Sequence, residues 1–503
     1  MTSTATPPVR SRRKFEFPSA FTVLVIVTLL VWIAVFFIPS GQYEKEADGS
    51  PIVGTFQNVP APQNFGERVI DFFLAPINGL YGILNHETGM IQPFGAGSLF
   101  GAVGVFMFVL AIGAFMTVVF QTGAMDRGIA RLAFATRKRG WLLIASVMVL
   151  FSLLGSTMGF AEETLGFYAL IVPLMLALGY DRLVAVGSIF LAAGVGAMAS
   201  TVNPFSIGVA SGEAGVSIGD GIVLRIILWV VLTTITVLYV LRYARKIKAN
   251  PAASILAGDS AAGAEEPGAA PGIPEALSGR QKAVLVVTGL AFATMIFSVI
   301  PWSSVLPVEK DYPFAWELGW WFPELTALFI VGAVVVGFIG GLGEKGIAAA
   351  IGKGAGDFIF PAIVILLARG VTVILNNTQT IDTMLHAMEQ LVVGASAGFF
   401  AVLVFLINAP LAILVPSSSG HATLAMPLLA PLGDFAGIDR SLVITAWNAG
   451  ARWMGLIMPT NAVLMGGIAL AGVGYNKYAR FVLPLMAVLL VVTLVFLVIG
   501  ALL

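Results

Sequence analysis

The chain has 503 residues, of which 58% are hydrophobic and 11% charged, with 27 basic residues balanced by 27 acidic ones. A soluble globular chain carries about 25% charged residues, so this one has too little polar surface to cover itself in water, and its zero net charge offers no face to nucleic acid. The lack of cysteine excludes disulfides and thiolate metal sites, and His86, His386 and His421 lie too far apart for a zinc motif.

Long apolar stretches recur from end to end, which marks a polytopic helical membrane protein. A transmembrane barrel would alternate in polarity over segments of about ten residues. The start, "RSRRKFEFPSAFTVLVIVTLLVWIAVFF", has the basic flank of a signal peptide. Its apolar run is long, however, and no small-x-small cleavage site follows, so it predicts a first transmembrane helix over about 18–38.

Four basic residues among positions 10–14 place the N-terminus in the cytoplasm. Residues 40–95 then lie outside and include an amphipathic stretch near 66–82. A helix over 98–121 returns to a basic loop, "DRGIARLAFATRKRG", and a helix from about 221 ends at "LRYARKIK", also inside. The Ala/Gly/Pro-rich stretch 249–279 reads as a cytoplasmic linker. The second half exits over 281–301, exposes an aromatic-rich loop, returns over 323–342 to "GEKG", and exits again over about 357–376.

Self-comparison adds a repeat. Residues 159–203 align without a gap to 417–461 at an offset of 258, with eight identities in 45 positions. Pro173 meets Pro431, "GYDR" meets "GIDR", and Asn203 meets Asn461. An odd number of crossings between the copies puts them in opposite orientations, the architecture of many secondary transporters. The expected fold is therefore all-α and polytopic, an inverted-repeat transporter with two re-entrant hairpins and two broken helices. A scaffold segment spans 1–97. The first repeat spans 98–248, with a hairpin over about 141–178 and a broken helix over about 183–215. The linker at 249–279 and scaffold helices at 280–345 follow. The second repeat spans 346–503, with a hairpin over about 397–436 and a broken helix over about 441–472. Both termini follow from this count, the N-terminus cytoplasmic and the C-terminus periplasmic, in an inner membrane.

In each copy small and polar residues interrupt the apolar run near mid-depth: "GSTMGFAEET" and "ASTVNPF" in the first, "VPSSSGHAT" and "MPTNAV" in the second. A helix break inside a bilayer has to line a cavity or face other protein, because its freed backbone groups find no bulk water. Four half-helix ends then converge. Their N–H groups suit an anionic group, and their carbonyls, with Ser, Thr and Asn oxygens, suit sodium. Glu162 and Glu163 sit at the first tip, where idle charges in lipid would cost about 2.5–3.5 kcal/mol each.

These blocks resemble the YfcC-type carriers of the ion transporter superfamily, which comprise C4-dicarboxylate anaerobic carriers and basic amino acid antiporters. The similarity runs over nearly the whole chain, through "FIPSGQYEK", "MGFAEETLGFYALIVPLMLALGYD", "STVNPFSIGVASGEAGVSIGDG" and "VPSSSGHATLAMPLLAPLGD". The resemblance implies an elevator mechanism and raises a homodimer as the assembly. It implicates Ser156, Thr157, Glu162, Glu163 and Thr164 at the first tip and Ser200, Thr201, Asn203 and Pro204 at the first break. In the second copy it implicates Ser417, Ser418, Ser419, Gly420 and Thr423, then Pro459, Thr460 and Asn461.

The sequence adds Arg369 as a substrate contact, with Asn376 and Asn377 behind it, His421 at the position matching Glu163, Asn448 for ion coupling, and Arg452 as an internal cation replacing sodium. Ser200, Thr201 and Asn203 form the candidate sodium site, with Glu162, Glu163 and Pro459 also in the coupling set. The function expected is secondary active transport of a small organic solute. A zwitterionic or basic amino acid fits two glutamates better than a dianion does, and a sodium- or proton-coupled dicarboxylate carrier is the alternative. A passive channel would show one continuous polar face. An intramembrane enzyme would need a His-Glu-x-x-His or Ser–Lys constellation, absent from this sequence. No cofactor is expected beyond sodium or a proton, and lipid and solute are the expected partners.

Overall fold

The computed structural model describes residues 20–44, 51–52, 54–85, 88–136, 139–257, 275–306, 314–392, 396–414, 417–459 and 461–503. The first helix, α1 (Ala20–Ala34), is followed by two short antiparallel strands, β1 (Gly41–Gln42) and β2 (Gln57–Asn58), with Gly41 opposite Asn58. The amphipathic stretch is α2 (Phe65–Tyr81), which opens on a capping box: Glu67 N donates to Asn64 Oδ1 at 3.1 Å and Asn64 N to the Glu67 carboxylate at 2.8 Å. Strands β3 (Ile83–Leu84), β4 (Ile91–Gln92) and β5 (Ser98–Leu99) make a small sheet in the order β4-β3-β5.

After α3 (Val103–Gln121), part of the expected basic loop is helical, as α4 (Ala124–Thr136). Met125 and Ile129, one turn apart, are buried while Arg127 stays exposed, so one stripe carries the helix. Helix α5 (Gly140–Met158) stops at Gly159, whose φ of +70° is the left-handed conformation that glycine adopts without penalty. A 3-10 turn, Glu162–Phe167, leads into α6 (Tyr168–Ala177). Then α7 (Arg182–Val186) runs through a π turn into α8 (Ala192–Met198), the helix breaks over 199–203, and a second π turn enters α9 (Val209–Ala214). Helix α10 (Ile222–Ala249) precedes the linker.

Beyond it come α11 (Gly279–Val299), α12 (Trp302–Val305), α13 (Phe322–Gly340) and α14 (Gly343–Asn377). The sequence predicts helix only from about 357, yet α14 is continuous from Gly343, because its Ala-rich first turns favour helix. At 35 residues it is about 52 Å long, against a hydrocarbon core of about 30 Å. An amphipathic helix not foreseen from sequence, α15 (Ile381–Val392), precedes α16 (Ala397–Leu414), α17 (Ser418–Phe435), α18 (Arg440–Gly455), α19 (Ala462–Leu470) and α20 (Tyr475–Gly500). Among the described residues, seven helices are long and apolar enough to cross a membrane: α3, α5, α10, α11, α13, α14 and α20.

Elements from α5 to α9 and from α16 to α19 occur in the same order, and their caps coincide. Asp181 caps α7 by accepting from Val184 N at 3.0 Å, and Asp439, 258 positions on, caps α18 by accepting from Ser441 N at 2.7 Å. Asn203 accepts from Phe205 N at 2.9 Å, and Asn461, again 258 positions on, accepts from Val463 N at 3.0 Å.

Two groups of helices pack mainly within themselves. In one, α14 and α13 lie on α3, α1 and α2 lie on α14, and α11 lies on α13. In the other, α5 and α10 lie on α8, α16 on α18 and α20, and α18 on α8. Backbones approach closely in the second group: a Cβ on Gly196 would meet the Ser152 carbonyl oxygen at 2.0 Å, and one on Gly450 the Phe405 carbonyl oxygen at 2.3 Å. The main bridge between the groups is α14 against α17.

Candidate functional site

The breaks in the apolar runs set the site. At the first, Ser156 in the last turn of α5 donates its hydroxyl to Ala199 O at 3.1 Å and accepts from Thr201 N at 3.1 Å. Thr201 N also lies 3.1 Å from Ser156 O. The Ser200 hydroxyl donates to Ala197 O at 2.6 Å and the Thr157 hydroxyl to Leu153 O at 2.8 Å. Asn203 Nδ2 donates to Gly155 O at 3.5 Å while its Oδ1 caps the next segment. These side chains are buried, and apart from Thr157, which bonds back within α5, they are occupied by backbone groups at the break or the helix end. Ser156, Thr201 and Asn203 thus stitch α5 to the broken helix, and Ser200 closes the end of α8.

At the second tip, Ser417 caps α17 by accepting from Gly420 N at 3.3 Å, and its hydroxyl lies 3.4 Å from that of Ser419. The Thr423 hydroxyl donates to Ser419 O at 2.9 Å. His421 Nε2 is 3.0 Å from Asn408 Oδ1, and its ring meets Trp447 edge-on at 5.4 Å. Asn448 Nδ2 donates to Ala197 O and Met198 O, both at 3.0 Å, so a residue of α18 closes the end of α8. Asn461 Nδ2 donates to Gly455 O at 2.9 Å across the second break.

Between these parts lies a cavity of about 1070 Å³, at the upper end of the roughly 300–1,000 Å³ of small-molecule sites. Its wall includes Gly159 and Thr164 from the first tip, Ser417, Ser418, Ser419 and His421 from the second, and Asn448, Arg452 and Asn461 from α18 and the break after it. Ser156, Thr157, Ser200, Thr201, Asn203 and Thr423 stand behind the wall. Gly420 packs on Val364, and Pro459 is exposed beside the break. The side chains of Glu162 and Glu163 and the whole of Thr460 lie outside the described residues.

Several wall residues escape sequence reasoning. Lys353 and Asp357 of α14 are exposed and face the cavity, as do Thr117 and Gln121 near the end of α3. The cavity therefore extends toward the side where α3 ends and α14 begins. Aromatic rings complete it: Phe205 stacks on Phe358 at 5.1 Å, and Phe120 on Phe160 at 6.0 Å. The mixture is a polar floor with both signs of charge and apolar sides, suited to a small charged or zwitterionic organic molecule.

Arg369 is elsewhere. Its guanidinium forms an ion pair with Glu213 of α9, donates to Phe100 O at 2.9 Å and lies 3.9 Å over the Phe100 ring. Asn377 donates to Asp71 at 2.7 Å, and Asn376 donates to Thr372 O at 2.9 Å. None of the three lines the cavity, and Arg369 and Asn377 are engaged by partners that local sequence does not reveal.

Residues 17–502 match the family model described as C4-dicarboxylate anaerobic carrier, DcuC. An uncharacterized protein of Haemophilus influenzae is 32% identical over 97% of this chain and 98% of its own. The protein of Escherichia coli K12 named "Putative basic amino acid antiporter YfcC" is 29% identical over 97% of each chain. In fold, the chain is similar to the YdaH transporter of Alcanivorax borkumensis, with a TM-score of 0.68 at 13% identity over 96% of this chain and 98% of that one. It is also similar to MtrF of Neisseria gonorrhoeae, described with a class of antimetabolite efflux pumps, with a TM-score of 0.69 at 14% identity over 96% and 95%.

Proposed function

Since the chain belongs to the C4-dicarboxylate anaerobic carrier family, and is an integral membrane protein of transporter type, we propose that it is a secondary active carrier for an amino acid, by exchange or with sodium or a proton. The observation that carries the reading is the cavity bounded by both tips and by the second break, whose wall carries Arg452 and His421 to face a carboxylate and Asp357 to face an ammonium group. A basic amino acid matches these charges at both ends, and the printed name of the Escherichia coli relative points the same way. The dicarboxylate reading draws on the description of the family and on Lys353 and Arg452, which would pair with two carboxylates.

The same reading includes an elevator movement. Its support is the division into two groups of helices and the paired caps at an offset of 258. The second group carries the tips, and the group of α1, α2, α3, α11, α13 and α14 stays still as it slides. With the N-terminus inside, as the basic residues before the first helix suggest, the Lys353 end of the cavity faces the cytoplasm.

Uptake into proteoliposomes preloaded with single solutes tests the proposal. Arginine, lysine and ornithine should exchange against one another, and sodium and pH gradients imposed separately should identify the coupling. Exchange of succinate with no response to any amino acid would reverse the choice of substrate.

A further inference from the structure

Glu213 and Arg369 are lone charges in long uncharged runs, and each is held by a different group of helices. Glu213 ends α9, which packs on α17, and its side chain is 1% exposed. Arg369 belongs to α14, whose backbone is locked to α2 beside it: a Cβ on Gly370 would meet the Ala75 backbone at 3.1 Å, and one on Gly79 the Gly370 nitrogen at 2.8 Å. The guanidinium is fixed further by the Phe100 carbonyl and ring, both on the α2 and α3 side. So the pair crosses the boundary between the two groups.

Its depth matters as much. Asp357 lines the cavity, and Arg369 lies twelve residues further along α14, about 18 Å away at 1.5 Å per residue. The ion pair therefore lies toward the membrane face at which α14 ends, opposite the one nearer Lys353. We infer that the Glu213–Arg369 ion pair is a latch that holds the cavity shut on that face and must open for the bound solute to be released there. The inference rests on the carrier reading, since a latch between two groups has a purpose only if they move. Two features favour a contact made to be broken. One carboxylate oxygen of Glu213 and Nε of Arg369 have no hydrogen-bond partner, so part of each group's capacity is unused in this state. A buried pair also contributes little net stability against neutral replacements, while fixing one arrangement over others.

The chain has no cysteine, so Ser418→Cys supplies a unique thiol on the cavity wall. Its reaction with a membrane-impermeant maleimide is followed in right-side-out and inside-out vesicles, which separates access from the two faces. The double variant Glu213→Gln plus Arg369→Gln removes both charges together and leaves neither buried alone. In that background, labelling from the Arg369 face should rise at least five-fold over the Ser418→Cys parent. Arg369→Lys keeps the charge but not the planar fork and should fall between; it carries the test by itself if the double variant does not assemble. An unchanged or lower rate in the variants, with the thiol still reached from one face at a time, overturns the latch and leaves the carrier standing. Passage of the impermeant reagent through the Ser418→Cys parent into the vesicle lumen, the mark of a continuous pore, overturns the carrier reading, and the latch with it.

Discussion

Asn448 donates from its carboxamide to the carbonyl oxygens of Ala197 and Met198, 3.0 Å from each. A residue 250 positions downstream thereby satisfies the end of α8, where the break leaves carbonyls without helical partners. Replacing it with alanine strands the Met198 carbonyl, a buried acceptor worth about 1–3 kcal/mol, while Ala197 O keeps the Ser200 hydroxyl. Aspartate is nearly the same size but aims negative charge at those oxygens. Asn448→Asp should therefore melt below Asn448→Ala in detergent, and both below the parent. Equal melting of parent and Asn448→Asp would show that the cap holds nothing.

Close backbone approach supplies a second test. Gly450→Ala would put a Cβ 2.3 Å from the Phe405 carbonyl oxygen, and Gly196→Ala one 2.0 Å from that of Ser152. Overpacking of this kind costs about 1–3 kcal/mol. Gly289 on α11 meets no heavy atom within 4 Å, so Gly289→Ala should be neutral or stabilising by up to about 1 kcal/mol. Thermal melts of the three variants, compared in one detergent, check the ordering.

What the sequence reveals here depends on how far a residue's partners lie. Apolar runs disclose the long helices, because bilayer thickness fixes their length. The breaks at 199–203 and before Asn461 are legible because Gly, Pro and Asn are what an interrupted helix needs. Helices α4 and α15 are missed, since short amphipathic helices resemble charged loops. Lys353 and Asp357 are missed for another reason: they lie far from any break, and only the packing of α14 beside the tips brings them to the cavity. Arg369 is visible as a lone cation, yet its partner is 156 positions away. A signal did exist. Glu213 is the lone acid in the run 183–219, and two opposite charges isolated in apolar segments are expected to meet.

Asp357 separates the two substrate readings. If it receives the ammonium end of a basic amino acid, Asp357→Asn loses a charge-assisted bond of about 1.5–3 kcal/mol, roughly a 10–100-fold rise in KM. A neutral amino acid should be much less affected. For a dicarboxylate the sign reverses, because removing the negative charge eases entry of an anion. Initial exchange rates across lysine, alanine and succinate decide among these outcomes, and an unchanged KM for all three removes Asp357 from the solute's path.

Asp71 predicts a pH response that arises outside the apolar spans. It lies in α2, 7% exposed, with one carboxylate oxygen accepting from Asn377 at 2.7 Å and the other without a partner. Burial pushes its pKa up to about 6, against the opposing hydrogen bond from Asn377. An unfolded aspartate titrates near 3.9, so the folded state binds the proton more tightly. The stabilisation is then complete below about pH 4 and is lost as pH rises through 6, because the unfolded chain releases the proton first. Each pH unit between the two values is worth about 1.4 kcal/mol. Asp71→Asn keeps the shape without titrating, so the parent should lose melting temperature from pH 4.5 to pH 7 relative to this variant. Parallel pH profiles for the two proteins would place the proton elsewhere.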